Sequence, residues 1–516
     1  MLSRKFAFKC CVWIFSFLVT PSLCAKILGI FPTPGRSHYI LESTLMTALV
    51  DAGHEVTIVS PFYEEYKFTG NGSYRQIILT GIEEAQKERR KVINLFEHKY
   101  FNPLAAIYLM NKIGLKQTET TLSHPNFQNL IHSGEKFDAV IVGQFMNDAL
   151  KGMAHHFGGH LILFSSVGTS TWVNHLVGNP SIPSYTPEMF LSYPARMTYY
   201  QRLKNALFNI VYNINQQLIF YPKQNDLLKK YVPNSIDLHE ALFNVSLVLM
   251  NTHESIGFPT STVPCLRAIG GFHVKQSKKL PSNLQDFMDN AKHGVIYFSL
   301  GSNVNTSHLP LAMKRALIEV FKEVKQRVLV KSDDEEFSNI SENVLVQKWY
   351  PQQDILAHPN LKLFITHGGY ASTIETVYYG VPVISIPIFG DQRMNAVYVE
   401  TKGFGRILLW QDITKTTFSN MVNELINNPL YMENARKCSV LLRDREVHPL
   451  NSAVYWIEYV LRYNGAPHLR VVSLDLTWYQ YYLLDVYTPI LLAICLPLYV
   501  IYKTCINRKL VKLKTS

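Results

Sequence analysis

Short apolar runs alternate with helical stripes along most of this chain. Lys26–Phe31 is a brief apolar run stopped by Pro32, and the turn Pro34-Gly35-Arg36-Ser37-His38 follows. Leu41, Leu45, Ala48 and Leu49 then recur on one helical face until Gly53, and Glu55–Ser60 is a second strand-like run. Strand, helix, strand at this spacing predicts the start of a parallel α/β sheet. Ala139–Val142, His160–Phe164 and Leu247–Met250 extend it. Glu83–Leu130 and Met197–Tyr221 have helical, amphipathic character. The second region carries Tyr199, Tyr200, Leu203, Leu207, Phe208 and Tyr212. Core packing is the default reading of such a stripe; lining an apolar pocket or touching a bilayer are the alternatives.

Residues 271–281 read as a linker, after which the rhythm restarts. Val295–Leu300 is a strand ending in Gly301-Ser302-Asn303, a helix covers Leu309–Gln326, and strands follow at Val328–Lys331 and Val344–Gln347. Leu363–Thr366 runs into His367-Gly368-Gly369, a helix covers Ser372–Tyr379, Val381–Pro387 is the next strand, and helices fill most of Thr414–Arg462. The prediction is two α/β domains, 25–270 and 282–465, with a ligand cleft between them.

The two ends break this rhythm. Arg4, Lys5 and Lys9 precede an apolar core, Cys10–Val19, and small residues Ser22 and Cys24, so residues 1–24 read as a signal peptide cleaved after Cys24. A juxtamembrane segment, 466–481, leads to Tyr482–Tyr502, which is almost wholly apolar and long enough to span a bilayer. The tail, 503–516, holds Lys503, Arg508, Lys509, Lys512 and Lys514 and no acid, which predicts a cytosolic tail and a lumenal body. Lys512 and Lys514 have the spacing of a dilysine retrieval signal of the endoplasmic reticulum.

Charge then loses most of its apparent meaning. Of the formal +11, three charges sit in the signal peptide and five in the tail, leaving +3 for the body, which argues against a nucleic acid partner. Only Cys265 and Cys438 are lumenal, so no disulfide framework and no metal-ligand spacing is expected. Asn71, Asn244, Asn305 and Asn339 begin glycosylation sequons.

The chemistry concentrates between Trp349 and Gln392. His367-Gly368-Gly369 stands where a strand ends and a helix begins, where backbone N–H groups bind phosphate and glycine admits close approach. His367 can add a hydrogen bond or a positive charge. Ser372 can bind phosphate or cap the helix. Glu375, one turn on, can accept both hydroxyls of a ribose. Trp349 offers a flat face to a nucleobase, and Asp391-Gln392, after the Gly390 turn, can grip sugar hydroxyls.

This stretch, with Pro351-Gln352, Gly380-Val381-Pro382 and Pro387 in register, closely resembles the donor-binding signature of the UDP-glycosyltransferase family. The words WYPQQDILAHP and FITHGG resemble its animal branch, insect members especially. Phe298–Ser302 and both chain ends extend the resemblance over nearly the whole sequence. It implies a GT-B fold, two Rossmann-like domains facing across a cleft, with the acceptor bound by the first and the UDP-sugar by the second. Trp349 would stack on uracil, and Gln352 would contact base or ribose. Ser302, His367, Gly369 and Ser372 would hold the diphosphate, Glu375 the ribose, and Asp391 and Gln392 the transferred sugar. His38 would be the general base of an inverting, metal-independent transfer, with no cofactor beyond the UDP-sugar co-substrate. A small lipophilic acceptor would lie among loops of Lys67–Ser133 and Ser170–Asn225. Membrane lipid is a further expected partner, and a homo-oligomer is open. Glucose is the expected donor sugar and glucuronate the alternative.

The chain departs from the family pattern at two places. The strand-end phrase Phe137–Gly143 carries Gly143 where many members keep the acid that pairs with the histidine. Asp148 either turns inward to replace it or merely starts a helix. A UDP-sugar-binding pseudoenzyme is the rival reading that Gly143 motivates. Ala371 stands where vertebrate members usually carry Asn.

Overall fold

The computed structural model describes residues 24–96, 102–168, 170–338 and 340–514. Most of the signal-peptide stretch, and the sequon residue Asn339, lie outside them. Two parallel sheets organise the chain up to Leu469. The first contains β1 (Lys26–Ile30), β2 (Glu55–Ser60), β3 (Ser73–Ile78), β4 (Ala139–Gly143), β5 (His160–Ser165), β6 (Val245–Met250) and β7 (Leu266–Ala268), in the order β3-β2-β1-β4-β5-β6-β7. The second contains β8 (Val295–Ser299), β9 (Arg327–Lys331), β10 (Val344–Gln347), β11 (Leu361–Thr366), β12 (Val383–Ser385) and β13 (Gly405–Ile407), in the order β10-β9-β8-β11-β12-β13. Both sheets therefore wind the same way around their first strand.

Central strands are mostly apolar because helices cover both faces of a parallel sheet. All of β4 and β8 is buried, and Ile27 of β1 pairs with Val56 of β2 and Ala139 of β4. Helix α1 (Arg36–Asp51) buries Tyr39, Leu41, Leu45, Met46, Leu49 and Val50 against this sheet. Each such side chain contributes about 1.5–3 kcal/mol. The helix stops at Ala52, followed by Gly53 at φ +97°.

The expected helical region after Glu83 resolves into α2 (Ile82–Val92) and further helices at Pro103–Leu122 and Pro125–Ile131. The segment after α2 leaves the first domain: Phe96 is buried in the core of the second, with Trp410 against it at 5.5 Å. The second expected region is α3 (Tyr199–Asn215). Its Phe208 and Tyr212 are buried, but Tyr199, Tyr200, Leu203, Leu207, Ile210, Val211 and Ile214 are exposed. Core packing thus accounts for only one side of that stripe.

In the second domain α4 (Tyr370–Tyr379) follows β11, and α5 (Gln392–Thr401) follows β12. Helix α6 (Pro449–Arg462) comes late in the chain, yet Ala453, Ile457 and Val460 pack in the first domain's core. The separate unit from Arg470 onward contains α7 (Leu484–Lys514), whose stretch Leu484–Asn507 is long and apolar enough to cross a membrane.

Candidate active site

His38, Ser302 and His367 follow the carboxyl ends of strands that flank the point where each sheet reverses its winding. That point falls between β1 and β4 in the first sheet and between β8 and β11 in the second. Doubly wound sheets bind ligands in the crevice outside such points. β1 leads to His38 and β4 ends at Gly143; β8 leads to Ser302 and β11 to His367. Arg90 of α2 links the two sides. Its Nη2 donates to Asn303 Oδ1 at 2.7 Å and lies 3.5 Å from the Pro34 carbonyl oxygen. One guanidinium therefore spans the loop before His38 and the loop beside Ser302.

On the second-domain side the His367 ring fills a slot between two glycines. A Cβ on Gly301 would fall 2.5 Å from His367 Cε1, and one on Gly369 would fall 2.7 Å from Nε2. Only glycine at both positions leaves room for the ring. Burial pushes the imidazole pKa down to about 4, and the Lys331 charge acts in the same direction. His367 is therefore neutral near pH 7 and offers a hydrogen bond, not the positive charge left open by the sequence. Gly369 is the N-cap of α4, so the free N–H groups of that helix start open beside the ring.

Glu375 lies one turn into α4 and collects partners. Gln352 Nε2 donates to Glu375 Oε2 at 2.6 Å and to Ser372 Oγ at 3.0 Å. Gln353 Nε2 donates to Glu375 Oε1 at 2.9 Å, and His273 Nε2 stands 3.6 Å from the same oxygen. Burial alone would raise the Glu375 pKa, but His273, Gln352 and Gln353 together hold it below the usual carboxylate value. The carboxylate stays ionised and orients Gln352 and Ser372. Trp349 is 58% exposed, with Lys331 Nζ 4.1 Å from its ring centroid, so indole surface remains for a flat base. Burial lowers Lys331 to about 8, with Arg90 adding to the effect and Asp333 opposing it.

Gln392 Oε1 accepts from the backbone N–H groups of Ile388 and Phe389 at 2.8 and 3.0 Å, which leaves its amide NH2 for a ligand. Asn395 Nδ2 donates to Asp391 Oδ2 at 2.8 Å and to the Gly368 carbonyl at 2.9 Å. Burial raises the Asp391 pKa against the pull of Asn395. Arg90, Lys331 and Asn395 were not legible as site residues, because each lies outside the contiguous signature or inside an ordinary element.

On the first-domain side His38 is half-buried, with the Phe145 ring 5.6 Å away edge-on. Its Nδ1 has no hydrogen-bond partner among the described residues. Burial brings its pKa down to about 4, so the ring is neutral, as a proton acceptor must be. Asp148 is not brought to His38. It opens a 3-10 turn, Asp148–Lys151, and its Oδ1 accepts from Lys151 Nζ at 2.5 Å with both groups buried. Among the sequons, Asn71 and Asn244 are exposed, whereas Asn305 uses Oδ1 to cap the turn at Ser307.

A family model described as "UDP-glucoronosyl and UDP-glucosyl transferase" matches residues 25–515. The chain belongs to the UDP-glycosyltransferase family. It is 35% identical to UDP-glucosyltransferase 2 of Dactylopius coccus over 505 residues, 95% of each chain. It is 30% identical to UDP-glucuronosyltransferase 1A7 of Mus musculus, covering 93% of this chain and 91% of the mouse protein. Among solved structures, the glycosyltransferase of kitacinnamycin matches with a TM-score of 0.57 at 18% identity, covering 85% of this chain and 99% of that one. A Polygonum tinctorium UDP-glucosyltransferase matches at 0.55 and 16%, covering 86% and 100%. The fold is GT-B. In this UDP-glycosyltransferase helices α4 and α5 of the second domain also grip the first. The Tyr370 hydroxyl donates to Thr252 Oγ1 at 2.8 Å, and the Tyr398 hydroxyl donates to the Ser255 carbonyl at 2.6 Å.

Proposed function

We propose that the chain transfers glucose from UDP-glucose to a hydroxyl of a small lipophilic acceptor, inverting the anomeric configuration, with His38 as general base. The observation that carries this reading is the arrangement around Arg90, which sets a neutral imidazole from one domain against a phosphate-type helix start in the other. In this reading Trp349 stacks on uracil and Glu375 takes the ribose. Ser302, His367, Gly369 and Ser372 hold the diphosphate, while Asp391 and the Gln392 amide take the sugar. His38 removes the acceptor proton as the oxygen attacks from the face opposite UDP, and no cofactor beyond the UDP-sugar enters. The glucosyltransferase name of a 35%-identical relative, against 30% for a glucuronosyltransferase, supports glucose.

The body would sit on the lumenal side of the endoplasmic reticulum membrane, held by the apolar stretch of α7 and touching lipid through the exposed stripe of α3. The full-length protein, incubated with a panel of phenols and steroid alcohols, should form products from UDP-glucose at least ten-fold faster than from UDP-glucuronate. The reverse preference would overturn the donor assignment. No transfer from either donor would favour the pseudoenzyme reading.

A further inference from the structure

Gly143 removes the carboxylate that the family pattern places beside the base, and Asp148 is bound by Lys151. Resting on the reading of His38 as general base, we infer that Glu42 of α1 replaces that acid as the positioning residue that orients His38 and stabilises its protonated form.

The geometry points to a relocated carboxylate. A Cβ built on Gly143 would lie 3.0 Å from Glu42 Oε1 and 3.0 Å from Phe31 Cδ1. The Glu42 carboxylate thus already occupies the space that a side chain at 143 would enter. Glu42 follows His38 by four residues, one turn along the same helical face. Helical side chains lean toward the N-terminus, so a change of rotamer would turn the Glu42 carboxylate toward His38, to which it is not hydrogen-bonded in this structure. Both groups are also incomplete: His38 Nδ1 and Glu42 Oε2 are buried without a hydrogen-bond partner. An unpaired carboxyl in an apolar wall is costly to fold, and packing gives no reason for one here.

The surroundings fix how the pair titrates. Phe31 at the end of β1 and Gly143 of β4 line the space around the Glu42 carboxylate and carry no charge, and His38 is the ionisable side chain one turn before it on its own helix. Burial raises the Glu42 pKa to about 8. Below that pH the carboxyl is protonated. Above it, the carboxylate can accept from Nδ1–H and leave the Nε2 lone pair facing the acceptor. The acceptor proton then passes to Nε2, the acceptor oxygen bonds to the anomeric carbon, and the bond from that carbon to UDP breaks with its electron pair leaving on the diphosphate. Glu42 keeps its charge throughout and stabilises the imidazolium.

The test uses the full-length protein with UDP-glucose, UDP-glucuronate and 1-naphthol. Wild-type kcat should rise with pH toward 8 and above. Glu42→Gln should lose that rise, lower kcat at least ten-fold at pH 8.5, and leave KM for the UDP-sugar within two-fold. Gly143→Asp alone should lower kcat, because its side chain meets the Glu42 carboxylate. Glu42→Ala combined with Gly143→Asp should recover at least ten-fold over Glu42→Ala. A wild-type pH profile and kcat in Glu42→Gln, with His38→Ala inactive, would overturn the role of Glu42 alone. A double variant no better than Glu42→Ala would do the same, and it decides the matter if Glu42→Gln fails to bind UDP. Full activity in His38→Ala, or no transfer by the wild type, would overturn the reading of the base and this inference with it.

Discussion

Burial sets both imidazoles of the cleft the same way. His38 and His367 fall to about 4 in the fold, whereas an unfolded chain protonates its histidines near 6.5. Between those values the unfolded state binds more protons, so stability should fall as pH drops from about 6.5 to 4. Thermal midpoints across that range should decline in the wild type and flatten in a His38→Ala, His367→Gln double variant; parallel curves would contradict the burial argument. The proposed donor contacts allow a second prediction. A base stack is worth about 1–3 kcal/mol and a hydrogen bond to a charged group about 1.5–3 kcal/mol. Trp349→Ala and Glu375→Ala should therefore each weaken UDP binding about ten-fold or more by calorimetry; unchanged affinity in both would remove them from the site. Trp349, His367, Ser372 and Glu375 were legible because they lie in one contiguous signature. Lys331 and Arg90 were not, because they reach the same cleft from a separate strand and a separate helix. Asp148 shows the converse: nearness to Gly143 in sequence suggested a partner for His38, but Lys151 three residues on takes its carboxylate.

At the scale of elements, the strands that carry the cleft were readable, as was the edge strand β10, and the other three edges were not. β4 and β8 are buried throughout, and β1 and β11 are buried except for Lys26 and Lys362 near their starts, so each gives a strong apolar run. β3, β7 and β13 lie at sheet edges with half-exposed residues, and their sequences carry no comparable run. The segment after α2 was similarly opaque. The sequence reads it as part of one helical region, whereas Phe96 lies in a turn after α2, and nothing in the sequence shows that it joins the other domain's core. Phe96 is 6% exposed, and removing a buried Phe ring costs about 3–5 kcal/mol. Phe96→Ala should lower unfolding stability by that amount in a denaturant titration, although the residue belongs to the first domain by sequence. A loss under about 1 kcal/mol would mean that this crossing carries little weight.

At the scale of the whole molecule, the domain order followed from two repeats of the strand–helix rhythm, and the path of the chain's end did not. Helix α6 follows the second sheet in sequence, yet its apolar face completes the first domain's core. The chain thereby returns to the first domain before Arg470 begins the separate unit that holds α7. A chain ending at Leu469 should therefore keep UDP affinity within two-fold of the full-length protein, whereas one ending at His448 should not fold. Loss of UDP binding in the longer form would show that the second unit supports the site. The central claim is a division of labour: a base from one domain and a donor site from the other, facing each other across one cleft. Its most direct test measures sugar transfer and calorimetric UDP affinity on the same preparation of His38→Ala. General base catalysis is worth about 10²–10⁴-fold, so transfer should fall by at least a hundred-fold while the Kd for UDP stays within two-fold of wild type. Transfer near the wild-type rate, or a UDP site lost together with the imidazole, would contradict the account.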